Sequence, residues 1–263
     1  MSLEAYSVRV DGTSHCFLLA EPGRSASAIV LSLHGTGSTA PEQARLSRMA
    51  SLADGTGAVV AFPEAVIPRG HGFEWDQELD EPFLLQLIAD LVQRFPAAGA
   101  RVCLTGMSGG ARLSCHLAWR RADLVTMVGA VAGLRAGDGP PPSRPVAVVA
   151  FHGTADRINP YAGSGTPRWG ESVPDAARRW AAGNGLPAAP AEVAVSRTLT
   201  RTTYGEPGHP GEVTLWTARG AGHTWPGSPL RGLFVRLLLG RTSMEVDATA
   251  ELWSFAERHA SDP

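Results

Sequence analysis

Apolar residues in this chain form two kinds of pattern: short runs that are almost wholly apolar, and longer segments in which they recur every three or four positions. Short apolar runs bounded by glycine are typical of strands buried on both faces of a parallel sheet, and the second pattern is typical of helices that pack on such a sheet. The predicted buried strands are residues 28–33, 57–62, 101–105, 127–132, 146–151 and 213–217. The predicted helices are residues 41–53, 82–95, 109–121, 173–182 and 246–259.

The order of these elements predicts the fold class. Two short strands of alternating pattern, residues 6–10 and 15–19, flank the turn signal Asp11-Gly12 and predict an N-terminal antiparallel hairpin. Strands and helices then alternate, which predicts an α/β fold with a mostly parallel central sheet and helices on both faces. We expect a single domain over residues 1–263, because no linker or repeat divides it. Residues 157–212 are weakly patterned, and we expect them to form a lid or pocket segment.

Composition and charge narrow the function classes. The 263 residues are 44% hydrophobic and carry a formal net charge of -2. Without a basic field or a long apolar run, neither nucleic acid nor a membrane is expected as a partner. Residues 1–6 lack the charged and apolar regions of a signal peptide, which favours a cytoplasmic protein; a secreted protein with a trimmed leader is the alternative. The sparse cysteines, Cys16, Cys103 and Cys115, indicate free thiols.

The candidate nucleophile lies between the predicted strand 101–105 and the predicted helix 109–121. The sequence there is Gly106-Met107-Ser108-Gly109-Gly110. A Gly-x-Ser-x-Gly turn between a strand and a helix is the pattern of a nucleophile elbow, in which the helix N-terminus faces the serine hydroxyl. The alternative is a glycine-rich turn with an incidental serine. The strand–turn–helix context favours catalysis, so Ser108 is the predicted nucleophile.

A second glycine-rich turn follows the first buried strand, where residues 33–37 read Leu-His-Gly-Thr-Gly. In a hydrolase of this kind, an upstream loop and the residue after the nucleophile donate backbone N–H groups to the oxyanion. We therefore predict that Thr36 and Gly109 form the oxyanion hole. His34 is expected to be a structural hydrogen-bonding residue rather than a proton shuttle.

The acid and the base of a triad are expected downstream, in the order Ser, Asp, His. Asp156 follows the buried strand 146–151 and is the predicted acid, with Asp138 as the second choice. Asp175 and Asp247 are better explained as charges at helix starts. His223 lies in a Gly/Pro-rich loop directly after strand 213–217 and is the predicted base. No histidine pair has metal-ligand spacing, so neither a metal nor another cofactor is expected.

Taken together, these segments resemble the polyhydroxybutyrate depolymerase-like esterases, which lie in the carbohydrate-esterase group of α/β-hydrolases with feruloyl and acetylxylan esterases. The matching stretches are residues 33–37, 106–111, 151–156 with 159–161, and 222–227. The resemblance implies an α/β-hydrolase fold, the triad Ser108, Asp156 and His223, and the donors Thr36 and Gly109. Members of this family often carry cysteine where this chain has Thr36 and Leu186.

The expected substrate is a small-molecule carboxylic ester, such as a lactone or a short acyl or aryl ester. Three alternatives stay open: an extracellular-type polyester or feruloyl esterase, an acyltransferase, and a catalytically silent binding protein of this fold. Trp75, Tyr161 and Trp225 are the predicted substrate-binding residues, because sequence places them beside the catalytic loops or in the lid segment. Buried packing is an equally good explanation for each aromatic side chain taken alone. The oligomeric state is left open.

Overall fold

The central feature of the fold is one twisted sheet of ten strands, seen in a computed structural model that describes residues 3–98, 101–166 and 169–259. In chain order the strands are β1 (Glu4–Val10), β2 (Thr13–Ala20), β3 (Ala28–Leu33), β4 (Ala58–Pro63), β5 (Ile67–Arg69), β6 (Gly72–Glu74), β7 (Val102–Met107), β8 (Met127–Val131), β9 (Ala147–Gly153), β10 (Ala191–Ala194), β11 (Leu199–Tyr204) and β12 (Val213–Ala218). Strands β5 and β6 form a separate small hairpin.

The strand order in the large sheet is β1-β2-β4-β3-β7-β8-β9-β12-β11-β10. The six strands from β4 to β12 run parallel, and the pairs at both ends of the sheet are antiparallel. Every residue of β3, β4, β7, β8 and β9 is buried, as expected for strands covered on both faces. The predicted α/β class, with its N-terminal hairpin and mostly parallel sheet, is confirmed.

Seven helices surround the sheet in the described part of the chain. They are α1 (Ala40–Ser47), α2 (Leu52–Thr56), α3 (Gln77–Arg94), α4 (Gly109–Arg120), α5 (Val173–Gly183), α6 (Leu233–Leu239) and α7 (Ala248–Arg258). Helices α3, α4 and α5 pack on one face, where Phe83 and Trp180 join Leu104 in one buried cluster. Helices α1, α2 and α7 contribute to the cluster on the opposite face, where Phe255 joins Val30.

All eight predicted strands lie within two residues of their observed bounds. The predicted helix 41–53 is instead two helices, because Arg48 adopts a left-handed conformation with φ of 57° and ends α1. Helix α3 begins well before Pro82, since the Asp76 side chain accepts hydrogen bonds from the N–H groups of Glu78 and Leu79. The pattern did not predict β5, β6, β10, β11 and α6.

The segment 157–212 has a more regular structure than its weak pattern suggests. Its described residues include helix α5, whose residues Val173, Ala177 and Trp180 are buried in the core. Strands β10 and β11 then extend the sheet beyond β12. Residues 167 and 168 of this segment lie outside the described residues. Most of the segment thus builds the sheet and its helical layer, and only its start reaches the site described next.

Candidate active site

Ser108 lies on a strained turn between β7 and α4. It adopts φ of 54° and ψ of -112°, a conformation that costs about 1–3 kcal/mol for a residue with a side chain. The turn packs tightly on the end of β3, because a methyl group on Gly106 would lie 2.6 Å from the Leu33 carbonyl oxygen. One on Gly110 would lie 2.5 Å from the same oxygen. Both positions therefore require glycine, and the Ser108 N–H is held by the Val131 carbonyl at 2.9 Å.

The loop after β3 lies directly against this elbow. A methyl group on Gly35 would lie 3.6 Å from Ser108 Cβ, and one on Gly109 would lie 3.3 Å from the backbone nitrogen of Thr36. The two predicted oxyanion donors, Thr36 and Gly109, are thus neighbours in space although they are far apart in sequence. Their arrangement suits a pair of backbone N–H groups directed at one oxygen.

His34 fixes the shape of this loop. Its Nδ1–H donates to the Gly35 carbonyl oxygen at 2.8 Å, and its Nε2 accepts the N–H of Ala65 at 3.2 Å. Burial lowers the pKa of His34 to about 4, so the ring stays neutral at pH 7 and keeps both roles. Trp75 packs on the imidazole at a centroid distance of 4.7 Å. His34 therefore supports the loop.

Asp156 follows β9 and is held by several donors. Its Oδ1 accepts the N–H groups of Ile158 and Asn159, each at 2.8 Å, and its Oδ2 accepts Nδ1–H of His223 at 2.7 Å. His152 Nε2 lies 3.3 Å from the same Oδ2. Burial alone would raise the pKa of Asp156, but the hydrogen bonds from His152 and His223 outweigh it and hold that pKa well below its usual value. Asp156 is therefore a carboxylate at neutral pH.

His223 is positioned by its backbone as well as by Asp156. Its N–H donates to the Leu239 carbonyl oxygen at 2.6 Å, and the Gly222 N–H donates to the Arg241 carbonyl oxygen at 2.9 Å. The loop after β12 is thus pinned to the end of helix α6. Because Nδ1–H is bonded to Asp156, the nitrogen left for proton exchange is Nε2.

Ser108 and His223 line one cavity of about 330 Å³. Trp225 forms part of its wall and is almost fully buried, with its indole N–H donating to Thr249 Oγ1 at 3.1 Å. Thr36 and Arg112 also face the cavity. Apolar side chains from five parts of the chain also line the cavity: Leu46, Met107, Ile158, Leu230, Val235 and Leu239. A serine hydroxyl, a carboxylate-bound imidazole and closely spaced backbone N–H groups at a largely apolar cavity are the chemical groups that acyl transfer requires.

Comparison with known proteins finds similarity to proteins named as esterases. No protein-family model matches the chain. A protein of Nocardia uniformis subsp. tsuyamanensis named Putative esterase NocK is 27% identical over 256 residues, which cover 85% of this chain and 74% of that protein. Among solved structures, the acetyl xylan esterase from Aspergillus awamori is similar with a TM-score of 0.67 and 18% identity, over 84% of this chain and 94% of that one. The chain has the α/β-hydrolase fold.

Two of the three predicted substrate-binding aromatics lie outside the lining of the cavity. Trp75 packs on His34 and donates its indole N–H to the His34 carbonyl oxygen at 2.8 Å. The Tyr161 hydroxyl lies 2.9 Å from Thr217 Oγ1, and its ring contacts His152 edge-on. The sequence placed Trp75 beside a predicted catalytic loop and Tyr161 in the predicted lid segment, but the polar atoms of both side chains are used in these contacts. Trp225 alone of the three reaches the cavity.

Several residues of the site were not found from the sequence. Asn159 is buried beside Asp156, and its side-chain amide donates to the Ala132 carbonyl oxygen. His152 donates from Nε2 to the Asn159 carbonyl oxygen at 2.9 Å, which links the acid loop to β9. Both residues lie in the stretches 151–156 and 159–161 that match the esterase pattern. Their closeness to Asp156 in the sequence could have indicated a role at the site. Nothing in the sequence indicated that Arg112 or helix α6 would line the cavity.

The competing acids have other roles in the hydrolase fold. Asp138 is fully exposed and lies 3.7 Å from Arg179. Asp247 caps helix α7, and Asp175 lies in the first turn of α5. Among the residues that the structure describes, no cluster of His, Cys, Asp and Glu side chains could hold a metal ion. The described helices include none with the length and apolar character needed to cross a membrane.

Proposed function

We propose that this protein is a serine esterase that hydrolyses a carboxylic ester through an acyl-enzyme, with Ser108 as nucleophile, His223 as base and Asp156 as the acid that orients it. The observation that carries the proposal is the convergence of a strained elbow serine and a carboxylate-bound histidine at one cavity. The sequence relative is named as an esterase and the similar structure is an acetyl xylan esterase. Both support a carboxylic ester hydrolase.

The first half of the reaction forms the acyl-enzyme. His223 Nε2 takes the proton from Ser108 Oγ as the oxygen attacks the ester carbonyl carbon, and the N–H groups of Thr36 and Gly109 stabilise the resulting oxyanion. The C–O bond to the alcohol then breaks, and Nε2–H protonates the departing alkoxide. Asp156 stays ionised throughout and stabilises the imidazolium.

Hydrolysis of the acyl-enzyme repeats these steps with water. His223 Nε2 takes a proton from water as the hydroxyl attacks the acyl carbon, and it returns that proton to Ser108 Oγ when the acid is released. The cavity of about 330 Å³ lies at the small end of ligand sites, which supports a small ester rather than a polymer chain as the substrate.

The proposal is tested by labelling the folded protein with a fluorophosphonate probe and locating the adduct by peptide mass spectrometry. We expect one adduct on Ser108, together with turnover of short p-nitrophenyl esters. Ser108→Ala should lose the label and lower kcat by several orders of magnitude, since the nucleophile is gone. A suitable control is Ser114→Ala on the same helix, whose hydroxyl is buried and bonded to the Thr105 carbonyl oxygen at 3.1 Å. If Ser108→Ala retained the label or the activity, the assignment would fail.

A further inference from the structure

Among the described residues that line the active-site cavity, Arg112 is the one with a permanently charged cationic side chain. Arg112 lies four residues after Ser108 on helix α4, so its side chain projects from the same side of the helix. Most of the cavity lining is apolar, and no aspartate or glutamate contributes to it in the described part of the chain. A guanidinium is always charged at physiological pH, so Arg112 brings a fixed charge to this wall of the cavity.

The guanidinium lies next to the predicted oxyanion donors. A methyl group on Gly109 would be 3.6 Å from Arg112 Nη2 and 3.3 Å from the Thr36 nitrogen. Arg112 is therefore beside the position where the ester carbonyl must bind if Ser108 is the nucleophile. A charged group of the substrate within a few atoms of that carbonyl would come into contact with it.

An aromatic side chain holds the guanidinium in place. Arg112 Cζ lies 4.9 Å from the centre of the Trp169 ring, and Arg135 Cζ lies 4.6 Å from the same ring. Two guanidinium groups therefore share one indole on this side of the site. Arg135 is half-buried, and its Nη2 has no hydrogen-bond partner within the described residues. The contact with the Trp169 ring restricts the orientation of the Arg112 guanidinium.

We propose that the natural ester carries a carboxylate group and that Arg112 binds this carboxylate. The inference rests on the proposed esterase function and adds the substrate class to it. A carboxylate matches the planar fork of a guanidinium with two parallel hydrogen bonds, and the apolar surroundings strengthen the pairing. An uncharged acyl or alcohol group at the same place could not form this charge-assisted pair of hydrogen bonds.

Matched pairs of esters test the proposal. In the first pair, mono-p-nitrophenyl glutarate carries a terminal carboxylate where p-nitrophenyl pentanoate has a methyl group. In the second pair, 4-carboxyphenyl acetate is compared with 4-carbamoylphenyl acetate, which places the charge on the alcohol side. We expect the wild-type enzyme to prefer the anionic member of at least one pair, and the pair that shows it identifies the part of the ester that carries the charge.

Arg112→Gln should lower this preference in kcat/KM by about 10- to 100-fold, the range for a charge-assisted hydrogen bond, chiefly by raising KM for the anionic ester. Arg112→Lys keeps the charge but loses the planar fork. Its preference for the anionic ester should lie between that of the wild type and that of Arg112→Gln. Arg120→Gln removes the same charge from the exposed end of the same helix and should leave the preference unchanged.

The outcomes separate this proposal from the one on which it rests. Equal preference for anionic and neutral esters in the wild type would overturn the carboxylate assignment. So would an equal fall in kcat for both esters in Arg112→Gln, which would make Arg112 a stabiliser of the oxyanion instead. Either result leaves the esterase function intact as long as Ser108→Ala is inactive on the neutral esters. Full activity of Ser108→Ala would contradict the esterase function itself.

Discussion

At the scale of single residues, the decisive contact of the candidate site is the one between Asp156 and His223. The carboxylate accepts Nδ1–H at 2.7 Å, which fixes the tautomer and leaves the lone pair of Nε2 for Ser108. In Asp156→Asn, an amide N–H can face Nδ1 and favour the opposite tautomer. We expect kcat to fall on the order of 10³- to 10⁴-fold with little change in KM, as measured with a p-nitrophenyl ester.

Asp138→Asn is the matched control for this variant, because Asp138 is the competing acid in the sequence and is fully exposed. It should leave kcat unchanged. Circular dichroism of both variants would show that the fold is retained. A large loss of kcat in Asp138→Asn, with activity kept in Asp156→Asn, would mean that the wrong acid has been assigned.

How far single residues could be predicted depended on what determines their position. Ser108, Asp156 and His223 follow buried strands, and the position of a strand end can be read from an apolar run. The orientation of a side chain such as Trp75 depends on which polar group it meets, here the His34 carbonyl oxygen. Arg112 lies in the first turn of a helix, and the local sequence does not indicate that a cavity lies beside it.

At the scale of secondary-structure elements, helix α6 is the part of the site that the sequence pattern did not predict. It is bounded by Gly232 and Gly240, and six of its seven residues are apolar, so it has no polar face and no helical period. Leu233, Phe234 and Leu237 are each 74% exposed. The same helix lines the cavity through Val235 and Leu239, and it is hydrogen-bonded to the backbone of the His223 loop.

The contact between α6 and the His223 loop is close enough to be tested with a single methyl group. A Cβ on Gly222 would clash with the Leu239 carbonyl oxygen and would lie 2.7 Å from Gly240 Cα. Gly222→Ala must therefore push the loop away from α6 and break the bond between the His223 N–H and Leu239. We expect kcat to fall at least about tenfold, because a small misplacement of a catalytic group is costly.

The control for this variant is Gly232→Ala, at the other end of α6. A Cβ at Gly232 has no atom within 4 Å, and the φ of this residue is -61°, which alanine adopts without strain. Its kcat and its melting temperature should match those of the wild type. If Gly222→Ala were as active as Gly232→Ala, the contact with α6 would not position the base.

At the scale of the whole molecule, the central strands were predictable and the edge of the sheet was not. Strands β3, β4, β7, β8 and β9 are buried at every position, so each could be predicted from an apolar run in the sequence. Strand β10 is exposed at every residue, so no apolar signal distinguishes it from a loop. Because β3, β7, β9 and β12 run parallel in one sheet, their carboxyl ends share an edge, and the loops that carry the proposed chemistry meet there.

A buried carboxyl group outside the cavity lining should shape the pH dependence of stability for the whole molecule. Asp80 on helix α3 is fully buried, and burial raises its pKa from 3.8 to about 6 even though its Oδ2 accepts the Asp76 N–H at 2.8 Å. Its Oδ1 has no hydrogen-bond partner in the described part of the chain, and His15 Nδ1 lies 4.0 Å away. The group is therefore easier to bury neutral than charged.

The sign of the effect follows from proton binding. Between pH 3.8 and about 6 the folded protein keeps a proton on Asp80 that the unfolded chain releases, so this residue lowers the free energy of unfolding as the pH rises through that interval. The difference of about two pKa values corresponds to roughly 3 kcal/mol. The side chain in Asp80→Asn cannot ionise, so the free energy of unfolding of this variant does not fall in that interval. Its amide N–H can donate toward His15 Nδ1.

Urea unfolding at pH 4 and pH 7 checks this. Relative to the wild type, Asp80→Asn should gain up to roughly 3 kcal/mol more in unfolding free energy at pH 7 than at pH 4. Asp90→Asn removes an exposed carboxylate from the same helix, one that accepts a bond from Gln86 at 2.7 Å, and should show no such gain. An equal difference between Asp80→Asn and the wild type at both pH values would mean that Asp80 titrates alike in the folded and unfolded states. Burial would then impose no free-energy cost on the charged form of Asp80. The carboxylate would have to be solvated, or paired with a group other than Asp76 and His15.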